Sequence, residues 1–348
     1  MPFRPHFTIS IQIASTLTAI EHTRGFLEAA NLSKDWIARM QARALVLEAH
    51  HTTHIEGTHL SLDQSEKLLS GEKMSGVDSD DVKELLNYRK AFDFVADYVF
   101  SEGRITEGLI REIHKRLVEG VRGNSALPGQ YRAVQNYVAN SVTKEIIYTP
   151  PAPYDVPLHM AELVDWLQNE RTLPPVLVAG IAQFQLVHIH PFLDGNGRTA
   201  RLLSTLCLYR SGYDFKKLFT ISEYYDRNRQ EYYKALQSGR NSNMDMTAWL
   251  EYFCSALETQ MREIRFKGSQ VIKLDLLVDR YKLSERQKQV LERLLEKEED
   301  FTIQEYERLC PGIHRRSLQR DLSTLIERGL ITQIGIKKAA RYRLIRLD

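Results

Sequence analysis

The chain has 348 residues, about twice the length of an ordinary single domain, so two compact units are expected and one small stapled fold is excluded. Hydrophobic residues make up 43% and charged residues 26%, ordinary values for globular protein, and the most apolar run, 176–182 (VLVAGIA), falls far short of the roughly 20 residues that span a bilayer. The net charge of +2 is unevenly placed: from Phe301 to Asp348 ten Lys or Arg face five Asp or Glu, so that stretch carries +5 and the rest carries −3. A basic C-terminal module makes nucleic acid a candidate partner for that module alone. The N-terminus has no basic, apolar and small-residue signal pattern. The short apolar run and the missing signal pattern point to the cytoplasm and to no membrane partner, while Cys207, Cys254 and Cys310, which form no CxxC pair and no even disulfide set, fit a reducing compartment without Cys-zinc chemistry.

In chain order, helical spacing dominates, and the expected fold class is mainly α. Residues 1–100 read as a helical region. Within it, in EAHHTTHIEGTHLS (48–61), Thr52 and Glu56 are four apart and share a helix face, with Gly57 as a stop. His50 and His54 have the spacing of two metal ligands on one turn, beside His51 and His59, but no third ligand pattern follows, so polar packing is the expected role. Leu109, Ile110, Ile113 and Leu117 mark another helix. Residues 127–157 interrupt the pattern with β-branched and aromatic residues around an Asn-Ser turn, read as a short β-hairpin. Leu158, Leu163 and Leu167 restore helical spacing, and a domain of residues 101–273 is expected to close near Lys273. Residues 274–348 then give helices at 284–295, 303–309 and 315–328 and strand-like runs at 330–335 and 340–345. That order resembles a winged helix-turn-helix, with Leu318, Leu322, Leu325 and Ile326 on the buried face of the recognition helix. Arg315, Arg316 and Arg320 on that helix, and Lys337, Lys338, Arg341 and Arg343 on the wing, offer phosphate contacts; protein and DNA both stay open as partners.

Chemistry concentrates in HIHPFLDGNGRTARLLSTL (188–206). Gly195, Asn196 and Gly197 stand directly before a helical run, which places backbone amides at a helix N-terminus where they favour phosphate. Arg198 and Arg201, three apart, offer two guanidiniums for a polyphosphate. Asp194 adds a hard oxygen suited to Mg²⁺ bridging phosphates, and His190 a base expected to titrate near neutrality. His188 is read as structural support for the loop.

The string HPFLDGNGRTAR matches HxFx(D/E)GNGRxxR, and the chain resembles the Fic-domain proteins over about residues 30–265. The resemblance implies a Fic-type helical catalytic domain in which His190 takes the proton from a Ser, Thr or Tyr hydroxyl of a protein target. That oxygen attacks the α-phosphate of ATP, AMP is transferred and pyrophosphate departs. It implies Mg²⁺ held at Asp194, phosphates cradled by Gly195, Asn196 and Gly197, and Arg198 and Arg201 on the triphosphate tail. Thr52, Glu56 and Gly57 resemble the family's inhibitory motif (S/T)xxxE(G/N), which implies self-inhibition by a Glu56–Arg201 pair. The hairpin resembles the flap on which a target segment docks. ISEYYDRNRQEYYKAL (221–236) resembles the helix closing the base pocket, with Tyr224, Asn228 and Tyr232 on one stripe for a purine. The expected function is thus a self-inhibited protein adenylyltransferase using ATP and Mg²⁺. Removal of AMP from the target, and a DNA-binding regulator that senses nucleotide, are the alternatives; a homodimer stays open.

Overall fold

The structure, a computed structural model, describes residues 2–100, 103–139, 143–297, 300–335 and 340–345. The chain divides into two units, Met1–Gly25 with Asp35–Met261, and Phe26–Lys34 with Arg262–Asp348. Helices are α1 (Ile11–Ala29), α2 (Lys34–Ile55), α3 (Leu62–Leu69), α4 (Ser79–Tyr98), α5 (Glu107–Val118), α6 (Val156–Asn169), α7 (Pro175–Ile189), α8 (Asn196–Arg210), α9 (Ile221–Arg227), α10 (Arg229–Asn241), α11 (Thr247–Tyr281), α12 (Glu285–Lys297), α13 (Ile303–Leu309) and α14 (Arg315–Glu327). Strands β1 (Val138–Ala139) and β2 (Ile146–Tyr148) pair antiparallel, as do β3 (Ile331–Ile334) and β4 (Arg341–Leu344). The mainly helical expectation holds. The expected boundary at residues 273/274 lies inside α11. Among the described residues no helix is long and apolar enough to cross a membrane.

The first unit is built around α7 and α8, which lie against each other. α7 is apolar on all sides and buried along nearly its whole length, as a helix without a polar face must be. At Gly180 the packing leaves no room for a side chain: a Cβ would stand 2.9 Å from Leu250 Cδ2, and the Gly180 carbonyl accepts from Trp249 Nε1 at 2.8 Å. α4, α5 and α6 pack around this pair. Each of α3, α4 and α5 starts on a polar cap, Ser61, Asp78 and Thr106, whose side-chain oxygen accepts from the first turn. Ile146 and Ile147 of β2, and Val134 and Tyr137 just before β1, are exposed, whereas Val138 and Tyr148 are partly buried. The Asn140-Ser141 turn of this hairpin lies outside the described residues.

In the second unit α12, α13, α14 and the hairpin β3–β4 enclose a core of Val290, Leu291, Leu294, Tyr306, Leu318, Leu322, Leu325 and Ile331. The buried face expected for α14 is the one observed, with Ile326 partly buried. A Thr302–Glu305 capping box starts α13. Arg316 and Arg320 are exposed, whereas Arg315 pairs with Glu307 at 3.4 Å and Arg343 with Asp300 at 2.7 Å. Lys337 and Lys338 lie outside the described residues.

Candidate active site

α7 ends at Ile189, and His190 caps it in the left-handed region at φ 51°. A side chain is rarely held there without support from its surroundings. Arg132, a buried residue of the flap segment, supplies that support. Its Nε donates to the His190 carbonyl at 2.9 Å, its Nη2 to the Pro151 carbonyl at 2.5 Å, and its backbone N–H to the Pro191 carbonyl at 2.9 Å. The His190 Nδ1 lies 3.3 Å from the Val187 carbonyl; a carbonyl only accepts, so Nδ1 carries the proton and Nε2 keeps its lone pair. Burial lowers His190 from the ordinary 6.5 to about 4, which corrects the expectation of titration near neutrality.

The loop then turns through Gly195, at φ 76°, into α8. A Cβ on Gly195 would stand 2.9 Å from Val118 Cγ1, so glycine is required by space as well as by backbone angle. The first helical bond runs from Thr199 N–H to the Gly195 carbonyl, so the amides of Asn196, Gly197 and Arg198 precede the intrahelical ladder. The Asn196 side chain faces inward instead of outward. Its Oδ1 accepts from Phe192 N–H at 2.9 Å and its Nδ2 donates to the Phe192 carbonyl at 2.8 Å, which fixes the loop and leaves its backbone amide for an anion.

The two arginines part company. Arg201 is buried, 1% exposed, and faces α2: Nε donates to Thr52 Oγ1 at 2.7 Å, and Nη2 donates to the Thr52 carbonyl at 3.1 Å and to Glu56 Oε1 at 2.6 Å. Glu56 lies just past the last helical residue of α2, in a turn where Gly57 takes φ +107°. Its carboxylate rests on Gly197, where a Cβ would clash with Oε1. An internal anion therefore covers the N-terminus of α8, on the guanidinium that the motif offers to phosphate. Arg198 is also buried, but its Nη1 donates to Glu84 Oε2 at 2.5 Å, so the structure does not present it as the second jaw of a clamp beside Arg201. Three apart on a helix, the two side chains diverge toward different neighbours. Arg122 bridges Glu84 Oε1 at 2.9 Å and Asp194 Oδ2 at 3.3 Å. Asp194 is 46% exposed at the mouth of the loop and accepts from Gly195 N–H at 2.6 Å. Among the described residues no group of three His, Cys, Asp or Glu is arranged to hold a metal alone. One accessible carboxylate beside an anion nest nevertheless suits Mg²⁺ that arrives with phosphates.

The base-pocket stripe needs correction. The expected single helix is two, broken at Asn228, whose backbone leaves the helical region (φ −119°, ψ 43°) while its side chain caps α9 by donating to the Tyr224 carbonyl at 2.9 Å. Asparagine competes with helix by this kind of local bond. Tyr224, Asn228 and Tyr232 therefore share no single helical face. Tyr232 is 2% exposed and stacks on Tyr225 at 4.4 Å, which makes it part of the core, although its hydroxyl lies 3.5 Å from Arg201 Nη1. Its neighbour Tyr233 is 48% exposed, more open than the partly buried Tyr224.

A sequence profile of the Fic/DOC family matches residues 104–208, which span α5 to α8 and include every residue of the loop just described. The chain carries a Fic/DOC domain. Over 203 residues it is 32% identical to the protein adenylyltransferase Fic of Drosophila willistoni and 34% identical to that of Drosophila yakuba. Those matches cover 57% of this chain but only 38% and 39% of the two relatives, well under half their length. A crystal structure of a Fic family protein from Desulfovibrio desulfuricans G20 shares the fold over 99% of this chain and 98% of that one, with a TM-score of 0.66 at 22% identity. A fragment of Fic-1 from C. elegans matches 74% of this chain and 73% of that one at 27% identity, with a TM-score of 0.62.

Around the Fic loop stand residues that the motif does not announce. His114 on α5 is buried, stacks on Phe192 at 3.7 Å, and joins Asp194 to the flap: Nε2 lies 3.0 Å from the Asp194 carbonyl and Nδ1 accepts from Gly129 N–H at 3.0 Å. No spacing rule links residues 114, 129 and 194, so only the fold reveals the joint. His188 Nδ1 meets the Tyr148 hydroxyl of β2 at 2.8 Å, a supporting contact of the expected kind.

Burial lowers the imidazoles of His50, His114, His188 and His190 alike, each to about 4 from 6.5. For a depressed histidine the native state prefers the neutral ring. The stability these groups contribute is fully present above about pH 6.5 and is lost as pH falls toward 4. At pH 5 these four rings should therefore take up about 3.5 protons on unfolding, read in the dependence of the unfolding enthalpy on buffer ionisation heat, with a thermal midpoint that drops over that range. A midpoint flat from pH 6.5 to 4.5 would contradict this burial pattern.

Proposed function

We propose that this chain is a self-inhibited, ATP-dependent protein adenylyltransferase that moves AMP to a Ser, Thr or Tyr hydroxyl. The observation that carries the reading is a neutral His190, with its free Nε2, placed one loop before an amide nest that an internal carboxylate covers. In this reading the target oxygen forms a bond to the α-phosphorus, the P–O bond to pyrophosphate breaks, and the hydroxyl proton passes to His190 Nε2. The α8 amides and Arg201 take the phosphates once Glu56 has left. Asp194 is the residue that would hold Mg²⁺, which when bound neutralises phosphate charge. Tyr233 offers the accessible aromatic face for the base, with Asn228 and Tyr224 beside the junction. The exposed apolar edge of the flap suits a target strand added to β1–β2. Removal of AMP by the same site, with Glu56 orienting water, is the second reading, favoured by the 24% of the Glu56 side chain that remains open to solvent.

The C-terminal unit is read as a winged helix that recruits or regulates, with duplex DNA as the alternative partner of exposed Arg316 and Arg320. We read the whole as a cytoplasmic protein. The function is tested by intact-mass spectrometry of the purified chain and of candidate targets after incubation with Mg-ATP: a gain of one AMP supports the proposal, and a gain of one phosphate, or none in the Glu56→Gly variant, opposes it.

A further inference from the structure

Asp226, next to last in α9, has a nearly buried carboxylate that serves three side chains. Its Oδ2 accepts from Nδ1 of His51 at 2.9 Å and from Nδ1 of His54 at 2.7 Å, and its Oδ1 accepts from Nη2 of Arg229 at 2.6 Å. The same Arg229 nitrogen donates to the His54 carbonyl at 2.7 Å, so it also satisfies a C-terminal acceptor of α2. His50 completes the cluster, stacked on His54 with ring centroids 5.7 Å apart and bonded through Nδ1 to Ser65 Oγ at 3.1 Å. Burial pushes the Asp226 carboxyl up, but the hydrogen bonds from His51, Arg229 and His54 outweigh it and hold the group at about 2. It is a fixed negative charge.

His51 and His54 lie in the last two turns of α2, and Glu56 follows His54 by two residues. The end of a helix frays unless something holds it, and Glu56 stands past that end in a glycine turn. Two turns earlier the same helix is tied to the same partner, because Glu48 Oε2 accepts from Ser222 N–H at 3.0 Å. α2 is thus fastened to α9 at both Glu48 and Asp226, and the second fastening is the one nearest Glu56.

We infer that Asp226 is a positioning residue for Glu56: with Arg229 it pins the last turn of α2 to the α9–α10 junction, so that the carboxylate stays on Arg201 and over Gly197. This rests on the reading of Glu56 as the inhibitory group. The junction it grips is also the helix break at Asn228, next to Tyr224 and one turn before Tyr233. A base seated there therefore bears on the same element that holds the inhibitor, which links nucleotide entry to release of Glu56.

The test uses the full chain in two backgrounds, with and without Glu56→Gly, and two substitutions, Asp226→Asn and Arg229→Ala, each checked for fold by circular dichroism and thermal melting. Two quantities are read, Mg-ATP affinity by calorimetry and transfer of label from the α-phosphate. In the background that keeps Glu56, each substitution is expected to tighten Mg-ATP binding and raise transfer several-fold. In the Glu56→Gly background neither should raise either quantity, whereas a general structural weakening would lower both quantities in both backgrounds. Arg229 is partly exposed, so its variant keeps the test available if Asp226→Asn folds poorly. Folded variants that leave affinity and transfer unchanged beside an activated Glu56→Gly protein, or that shift both backgrounds equally, overturn the inference alone. An unactivated Glu56→Gly protein overturns the inhibitory reading and this inference with it.

Discussion

Replacing Glu56 by glycine is expected to raise AMP transfer by about 10- to 100-fold. The carboxylate makes a charge-assisted hydrogen bond to Arg201 Nη2 at 2.6 Å. Such bonds contribute roughly 1.5–3 kcal/mol, and each ~1.4 kcal/mol is a factor of ten in an equilibrium. Removing the side chain also clears Gly197, so phosphate gains both the guanidinium and the amides. The same change leaves a buried arginine without its anion, so the nucleotide-free variant should melt lower than the parent and recover more stability than the parent on adding Mg-ATP. Arg201→Ala should leave transfer poor whether or not Glu56 is present, because the phosphate partner itself is gone. Transfer that is unchanged or lower in Glu56→Gly at saturating Mg-ATP would count against self-inhibition. Loss of AMP removal in that variant would favour the hydrolytic role.

His190→Ala should cost about 10²- to 10⁴-fold in transfer, the range typical of removing a general base. Its side chain has one nitrogen committed to Val187 and one free, and the loop that presents it is held by Arg132. Because burial holds the imidazole at about 4, the ring is already neutral at physiological pH. The acid limb of kcat/KM should therefore lie below the usual histidine range. Binding of phosphate anions beside the ring will raise its pKa, so the acid limb of kcat should sit at higher pH than that of kcat/KM. Equal labelling by the parent and His190→Ala proteins would remove the base from the account.

The loop from His190 to Arg201 was legible because its chemistry is local: glycine at a left-handed turn, amides at a helix start, and a base one turn away all lie within twelve consecutive residues. Glu56 was legible through the resemblance of 52–57 to an inhibitory motif, which implied its pair with Arg201; that Thr52 reaches the same guanidinium is a tertiary fact. The sequence misled where side chains choose between neighbours that the chain brings from afar. Arg198 reads as a phosphate ligand until Glu84, 114 residues away, claims it. Tyr232 reads as a base platform until Tyr225 and the core take it, leaving Tyr233 in the open. Helical periodicity carried straight through Asn228 because the bond by which that side chain caps α9 leaves no trace in apolar spacing. In the C-terminal unit the apolar faces were regular and short, and the elements fell within a few residues of expectation.

The most direct measurement incubates the Glu56→Gly protein with Mg-ATP carrying label on either the α- or the γ-phosphate, and follows label retained on protein after denaturation. The account predicts retention of the α-label with release of the γ-label as pyrophosphate, abolished by His190→Ala. Retention of the γ-label, or α-label that persists without His190, would contradict it.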